Sequence, residues 1–286
     1  MSVLMQPESP AKAADVQPSG PTESAPEDLA SLAGRQGYFS TGPWLSADAT
    51  EVLIDSASRG SARFGRTAAL QRPDIAREFA SWGFTNSRGA YTTDSRFFRH
   101  AILAARTTAR IDGWHLGKRT SLRLWVGNRW TAVVAGSSAG ALLLGYESGY
   151  RGTMVQLDVA GVDDAASVMA AWTGLAPAWP MAGTAGTINT VNSGLFERRL
   201  QDAKVPVPSN ADGQLRSLWQ EPWFVWVVTV GRERFRRGFI NAGAAGHFLF
   251  GLNNDGDVQL APQASSLVWH TLRDAVEDAR FHEQQY

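Results

Sequence analysis

The chain has 286 residues, 44% of them hydrophobic, with 27 basic and 27 acidic side chains. Such a composition supports a large buried core and excludes an intrinsically disordered chain, and zero formal charge leaves no net field drawing it to nucleic acid or an anionic membrane. The chain contains no cysteine, which excludes disulfides, a thiolate nucleophile and Cys-based zinc or iron sites; the five histidines show no ligand-like spacing, so no metal or other cofactor is expected.

Residues 1–36 are rich in Pro, Ser, Ala and Glu, hold almost nothing to bury, and are predicted to form a disordered tail. The first twenty residues have neither a basic start nor an apolar run, so no secretory signal is expected. The longest apolar stretch, Trp223 to Val228, is too short to span a bilayer, so no stable membrane insertion is expected. These features predict a cytoplasmic protein. Lysine occurs only at Lys12, Lys118 and Lys204 among the 27 basic residues, a bias that a G+C-rich genome would produce. Ordered structure is predicted to begin at Tyr38 to Trp44, and a helix to follow behind Pro73, with Ile75, Phe79 and Trp82 on one stripe.

Beyond this point the sequence reads as a repeat. DSRFFRHAILAA, residues 94–105, lies over NSGLFERRLQDA, residues 192–203, with Asp94 and Asn192 as the expected N-caps. Each is followed by a predicted hairpin, SLRLWVGNRWTAVVAG (121–136) and PWFVWVVTVGRERFRRGFINAG (222–243), broken at Gly127 to Arg129 and at Gly231 to Glu233. AGSSAGALLLGY (135–146) then aligns with AGAAGHFLFGL (242–252), which predicts two strands and a turn in both, and VQL at 155–157 aligns with VQL at 258–260. A helix closes each copy, carried by Val168, Met169, Trp172 and Leu175 and by Val268, Leu272, Val276 and Ala279. A Pro- and Gly-rich linker, Leu175 to Thr190, joins them. The predicted fold class is α+β: two pseudo-symmetric halves, 37–180 and 181–286, each a mostly antiparallel sheet flanked by helices.

GSSAG at residues 136–140 matches the G-x-S-x-G turn that presents a nucleophilic serine, here Ser138. Chain order permits a triad ending in His247 or His270, and GSSAG with the later Asp255-Gly256 is superficially similar to the serine and aspartate dyad of patatin-like lipases. Against a patatin-like or α/β-hydrolase-like enzyme, the aligned copy carries Ala244 and Ala245, and GWHLGK (113–118) lacks the consecutive glycines of an oxyanion loop. Ser138 is therefore the alternative, and the first expectation is a non-catalytic binding protein. Its partner contacts are predicted at Trp223, Trp226, Arg232, Arg234, Phe235 and Arg236, where arginines alternate along an expected strand, and at the turn residues Asn254 and Asp255.

The paired sheet units (121–157 and 222–260), the linker WPMAGTAGTINT with its following helix, and the C-terminal helix 266–280 resemble the EspG family of type VII (ESX) secretion-associated chaperones, over roughly residues 44–280. The resemblance implies a cytosolic, non-catalytic fold of two pseudo-symmetric halves on a central sheet. It also implies a helical secreted partner, a PE/PPE-like protein or pair held before export, and no nucleic acid. The long Pro-rich tail departs from that family's pattern.

Overall fold

The computed structural model describes residues 38, 40–60, 64, 70–143, 151–176, 188–232 and 234–282. The tail expected over 1–36 and most of the linker, 177–187, lie outside the described residues. The fold is α+β, as the sequence implies: ten strands form one antiparallel sheet with helices on both faces.

In chain order, β1 (Trp44–Ser46) leads into α1 (Ala47–Ser58), α2 (Pro73–Ser81) and α3 (Thr93–Leu103). Then come β2 (Thr107–His115), β3 (Lys118–Val126), β4 (Trp130–Ala135), α4 (Ala139–Leu143), β5 (Met154–Gly161) and α5 (Ala165–Thr173). The chain continues through β6 (Asn189–Val191), α6 (Ser193–Gln201), α7 (Gly213–Gln220), β7 (Phe224–Val230) and β8 (Phe235–Asn241). It ends with β9 (His247–Leu252), β10 (Val258–Gln263) and α8 (Ser265–His282).

Local chemistry explains most helix boundaries. Ser46 caps α1 by accepting from the Ala49 N–H, Asn192 caps α6 by accepting from Gly194 and Leu195, and Asp212 caps α7 by accepting from Leu215 at 2.7 Å. Pro73 opens α2, and Gly174, at φ +67°, closes α5 in the left-handed conformation. The cap of α3 is Thr92 rather than the expected Asp94, which stands in the first turn, where its charge favours the helix N-terminus. Trp82 terminates α2 and is exposed, so only Ile75 and Phe79 of the expected stripe are buried.

Strands β2 and β7 meet at the centre of the sheet, and the order runs outward as β2-β3-β4-β5-β1 on one side and β7-β8-β9-β10-β6 on the other. The single sheet thus passes from the stretch 37–180 into 181–286. The hairpins aligned in sequence, β3–β4 and β7–β8, lie at different depths: second and third from the centre in one case, first and second in the other. The sequence alignment is out of step with the sheet by one strand. Residues 139–143 form a short helix and not the expected strand, so the segments after GSSAG and GAAG also differ in type. Both outer strands, β1 and β6, have three residues.

One face of the sheet is covered over its central strands. Ile111, Leu122, Leu124, Trp226 and Val228 pack there against Met169 and Trp172 of α5 and Leu272 and Val276 of α8. On the other face the helices form two separate wings. α1, α2 and α3 place Leu53, Phe79, Phe98 and Ile102 over Val134 and Leu157; α6 and α7 place Phe196, Leu218 and Trp219 over Ile240, Phe248 and Leu260. Each fully buried side chain of this kind contributes roughly 1.5–3 kcal/mol. A buried arginine ties down each wing. Arg99 donates to the Ser56 carbonyl at the end of α1 and lies 4.1 Å from the Tyr91 ring centre; Arg199 donates to the Trp219 and Glu221 carbonyls at the end of α7 and lies 4.7 Å from that of Trp223. Burial lowers both guanidinium pKa values from their ordinary level. Among the described residues no helix is long and apolar enough to cross a membrane.

Candidate functional site

Among the described residues, the middle of the sheet between the two wings is left open. Arg123 of β3 stands opposite Arg110 of β2, Arg110 opposite Thr229 of β7, and Thr229 opposite Arg236 of β8. The next row comprises Ser121, Asp112, Val227 and Gly238. Residues paired across strands share a face, so these rows form one continuous strip. Arg110, Arg119 and Arg236 are exposed, and Asp112, Ser121, Arg123, Val227 and Thr229 are half-buried. The alternate residues Ile111, Leu122, Leu124 and Val228 are at most 1% exposed on the opposite face.

The strip is basic. Like charges opposed on neighbouring strands destabilise a sheet, and two carboxylates partly offset the Arg110–Arg123 pair. Asp112 accepts from Arg110 at 2.8 Å and from Arg119 at 3.4 Å, and Glu51 of α1 lies 2.7 Å from Arg123. Pairs this open to water each stabilise by about 1 kcal/mol at most. Four guanidiniums, those of Arg110, Arg119, Arg123 and Arg236, therefore face two carboxylates, Asp112 and Glu51. A groove of about 240 Å³ lies between α1 and the β2–β3 end of the strip, lined by Ala47, Glu51, Arg110, Ser121, Arg123 and Val155 among others. Arg119 and Arg123 lie 5.8 and 5.5 Å from the ring centres of Trp114 and Trp125. Planar, partly held guanidiniums beside apolar surface suit recognition of carboxylates on an apolar partner.

Of the contacts expected from sequence, Arg236 is on the strip. Arg232 and Arg234 belong to the β7–β8 turn, with Arg232 at φ +43°, so the expected alternation of three arginines along a strand is not formed. Asn254 and Asp255 occupy the β9–β10 turn, where the Asn253 side chain accepts from the Asp255 and Asp257 N–H groups; by register this turn lies at the same end of the sheet as Arg232 and Arg234. Phe235 is half-buried against the core shared with α8. Trp223 and Trp226 are 3% and 1% exposed and present no surface to a partner. Trp223 donates its indole N–H to Leu218 and meets Trp219 edge-on, while Trp226 stacks on Phe239 at 4.5 Å. Helices cover this part of the sheet on both sides, which a strand pattern alone does not reveal. Arg110, Arg119 and Arg123 lie outside the expected set, although Thr108, Arg110 and Asp112 in TTARIDGWH and Arg119, Ser121 and Arg123 in KRTSLRLWV put polar or charged residues at alternate positions, the pattern of a face turned to water.

GSSAG does stand between a strand and a helix, β4 and α4, contrary to the expectation of a strand on both sides. Its polar groups are engaged in the fold. The Gly136 carbonyl accepts from the Trp172 indole, the Ser137 carbonyl from the Thr120 hydroxyl, the Ser137 hydroxyl from the Arg151 N–H, and the Ser138 hydroxyl from the Ala141 N–H. Ser138 is thus an N-cap, 9% exposed. The imidazoles named for a triad are engaged otherwise or open to solvent: His247 bonds to the Ala176 carbonyl, and His270 is exposed on α8. Ser138→Ala is expected to cost about 1 kcal/mol in chemical denaturation, the usual value of a lost cap. A fluorophosphonate probe is expected to leave native wild type unlabelled; labelling that disappears in Ser138→Ala would establish a nucleophile.

Among the described residues no group of three or more metal-ligating side chains forms. No protein-family model matches the chain, and no curated protein aligns with it.

Proposed function

We propose that this chain is a non-catalytic binding protein that holds a helical secreted protein or pair of the PE/PPE kind in the cytoplasm before export, as the EspG-type chaperones it resembles do, and that it does so at the open strip. The observation that carries the reading is the strip itself. Among the described residues the wings leave the central strands of this face uncovered, and the opening is lined with arginines around half-buried Val227 and Val155. A helix with carboxylates beside an apolar stripe is its complement, a helix-in-groove contact with electrostatic steering.

The test is co-expression with helical PE/PPE-type pairs, followed by size-exclusion chromatography and titration of the purified components. Arg110→Glu with Arg123→Glu is expected to weaken the complex about 100-fold, roughly tenfold for each reversed charge, while circular dichroism stays unchanged. A complex that forms equally well with both arginines reversed places the contact elsewhere. Failure of every such pair to bind removes the secretion-chaperone assignment.

A further inference from the structure

The strip has a candidate occupant within the same chain. Residues 1–37 contain Glu8, Asp15, Glu23, Glu27 and Asp28 against Lys12 and Arg35, so this stretch is acidic in a chain whose total charge is zero. Three of its five carboxylates fall within six residues, in Glu23-Ser24-Ala25-Pro26-Glu27-Asp28, and Leu29 and Leu32 follow directly. Carboxylates followed by apolar side chains are the chemistry that the strip presents in complement: Arg110, Arg119, Arg123 and Arg236 around half-buried Val227.

The tether allows the contact. The chain is anchored at β1, where the Pro43 carbonyl accepts from the Leu157 N–H of β5 at 3.0 Å. Tyr38 packs on the opposite side of the sheet, against the core shared with α5 and α8, so the segment rounds the β1 margin. Three strand spacings from β1 to β3 are roughly 15 Å, and crossing the layer adds roughly 10 Å, within the roughly 33 Å that the ten residues from Asp28 to Tyr38 reach when extended. A segment linked this way meets the strip at an effective concentration in the millimolar range, far above that of any free partner.

We propose that the acidic stretch Glu23 to Asp28 occupies the basic strip of its own chain, and that a partner binding there displaces it. The strip is then self-covered when empty, and the tail sets a threshold that selects partners more acidic or more apolar than itself. The inference shares the strip with the function proposed above and does not depend on the partner being a secretion substrate.

The test uses the full-length protein. Because the chain has no cysteine, Ser31→Cys supplies a unique site for a nitroxide label, and paramagnetic broadening of backbone amides is read by NMR. In low salt the amides of Arg110, Asp112, Ser121 and Arg123 are expected to lose at least half their intensity. They are expected to recover in 0.5 M salt, where the screening length is roughly 4 Å, and in a Glu23→Gln, Glu27→Gln, Asp28→Gln variant, whose changes lie outside the packed core. Broadening that is absent, evenly spread, or concentrated on another surface overturns the proposal. So does broadening of the strip that persists in the triple variant. The same triple variant is expected to bind a strip-directed partner about tenfold more tightly; equal affinity would also overturn it. If the tail broadens the strip and no PE/PPE-type pair binds, the self-contact stands and only the chaperone reading falls.

Discussion

Trp172→Ala is expected to bring the chain to the edge of unfolding. Trp172 is completely buried in α5, meets Phe224 edge-on at 5.6 Å, and donates its indole N–H to the Gly136 carbonyl at 2.9 Å. Truncation removes the ring and leaves a cavity where α5, β7 and the GSSAG bend converge, a loss of about 4 kcal/mol. The stranded Gly136 carbonyl adds roughly 1 kcal/mol. Against a typical total of about 5–15 kcal/mol, the urea midpoint of Trp172→Ala should collapse. Trp172→Phe keeps most of the packing and loses the N–H, and is expected to fall about 2 kcal/mol below wild type. Two variants equal in stability would show that the indole hydrogen bond and the ring volume contribute nothing separable at this site.

Acid is expected to destabilise the fold through His247. Its Nε2 lies 3.2 Å from the Ala176 carbonyl, an acceptor only, so this nitrogen carries the proton and Nδ1 is the bare one; Nδ1 has no partner among the described residues. Burial lowers the imidazole pKa from 6.5 to about 4. The unfolded chain takes up a proton as pH falls through 6.5, and the folded chain does so only near 4. Between these values the unfolded state binds more protons, so stability rises with pH across the window and is unaffected by this group above it. A shift of this size corresponds to a loss of about 3 kcal/mol between pH 7 and pH 4. His247→Gln retains a donor at the Nε2 position and does not titrate. Denaturation midpoints of this variant should lack that part of the acid slope; a slope as steep as in wild type would assign the loss to other groups.

The parts of the fold legible in the sequence are those written in local chemistry. The helix behind Asn192, the C-terminal helix on Val268, Leu272 and Val276, and the hairpin breaks at Gly127 and Gly231 fall where caps, stripes and turn residues put them. α1 escaped notice because it buries Ala49, Thr50, Leu53 and Ala57, mostly small side chains that make a weak stripe. The short helix 139–143 is built from ALLL-type residues that suit a strand equally well, so tertiary packing decides. The β2–β7 pairing joins Ala109 to Val230 across more than a hundred residues, and no local signal encodes it. The strip is a product of that pairing. Arg110 and Arg123 come together in one hairpin, but Thr229 and Arg236 join their row only once the centre of the sheet has formed. The burial of Trp223 and Trp226 is illegible in the sequence for the same reason, since α7 and α8 cover them on opposite faces only in the assembled molecule.

The three-residue outer strands bear on how this sheet can be approached. β1 covers β5 only from Met154 to Gln156, and beyond it the Asp158 carboxylate accepts from the Val159 N–H at 2.8 Å. β6 covers β10 from Val258 to Leu260, and beyond it Pro262 carries no N–H to offer. Both margins are thus blunted in the ways that prevent one sheet from templating another. Margins of this kind discourage the pairing of an eleventh strand, which favours reading of the sheet through its side chains.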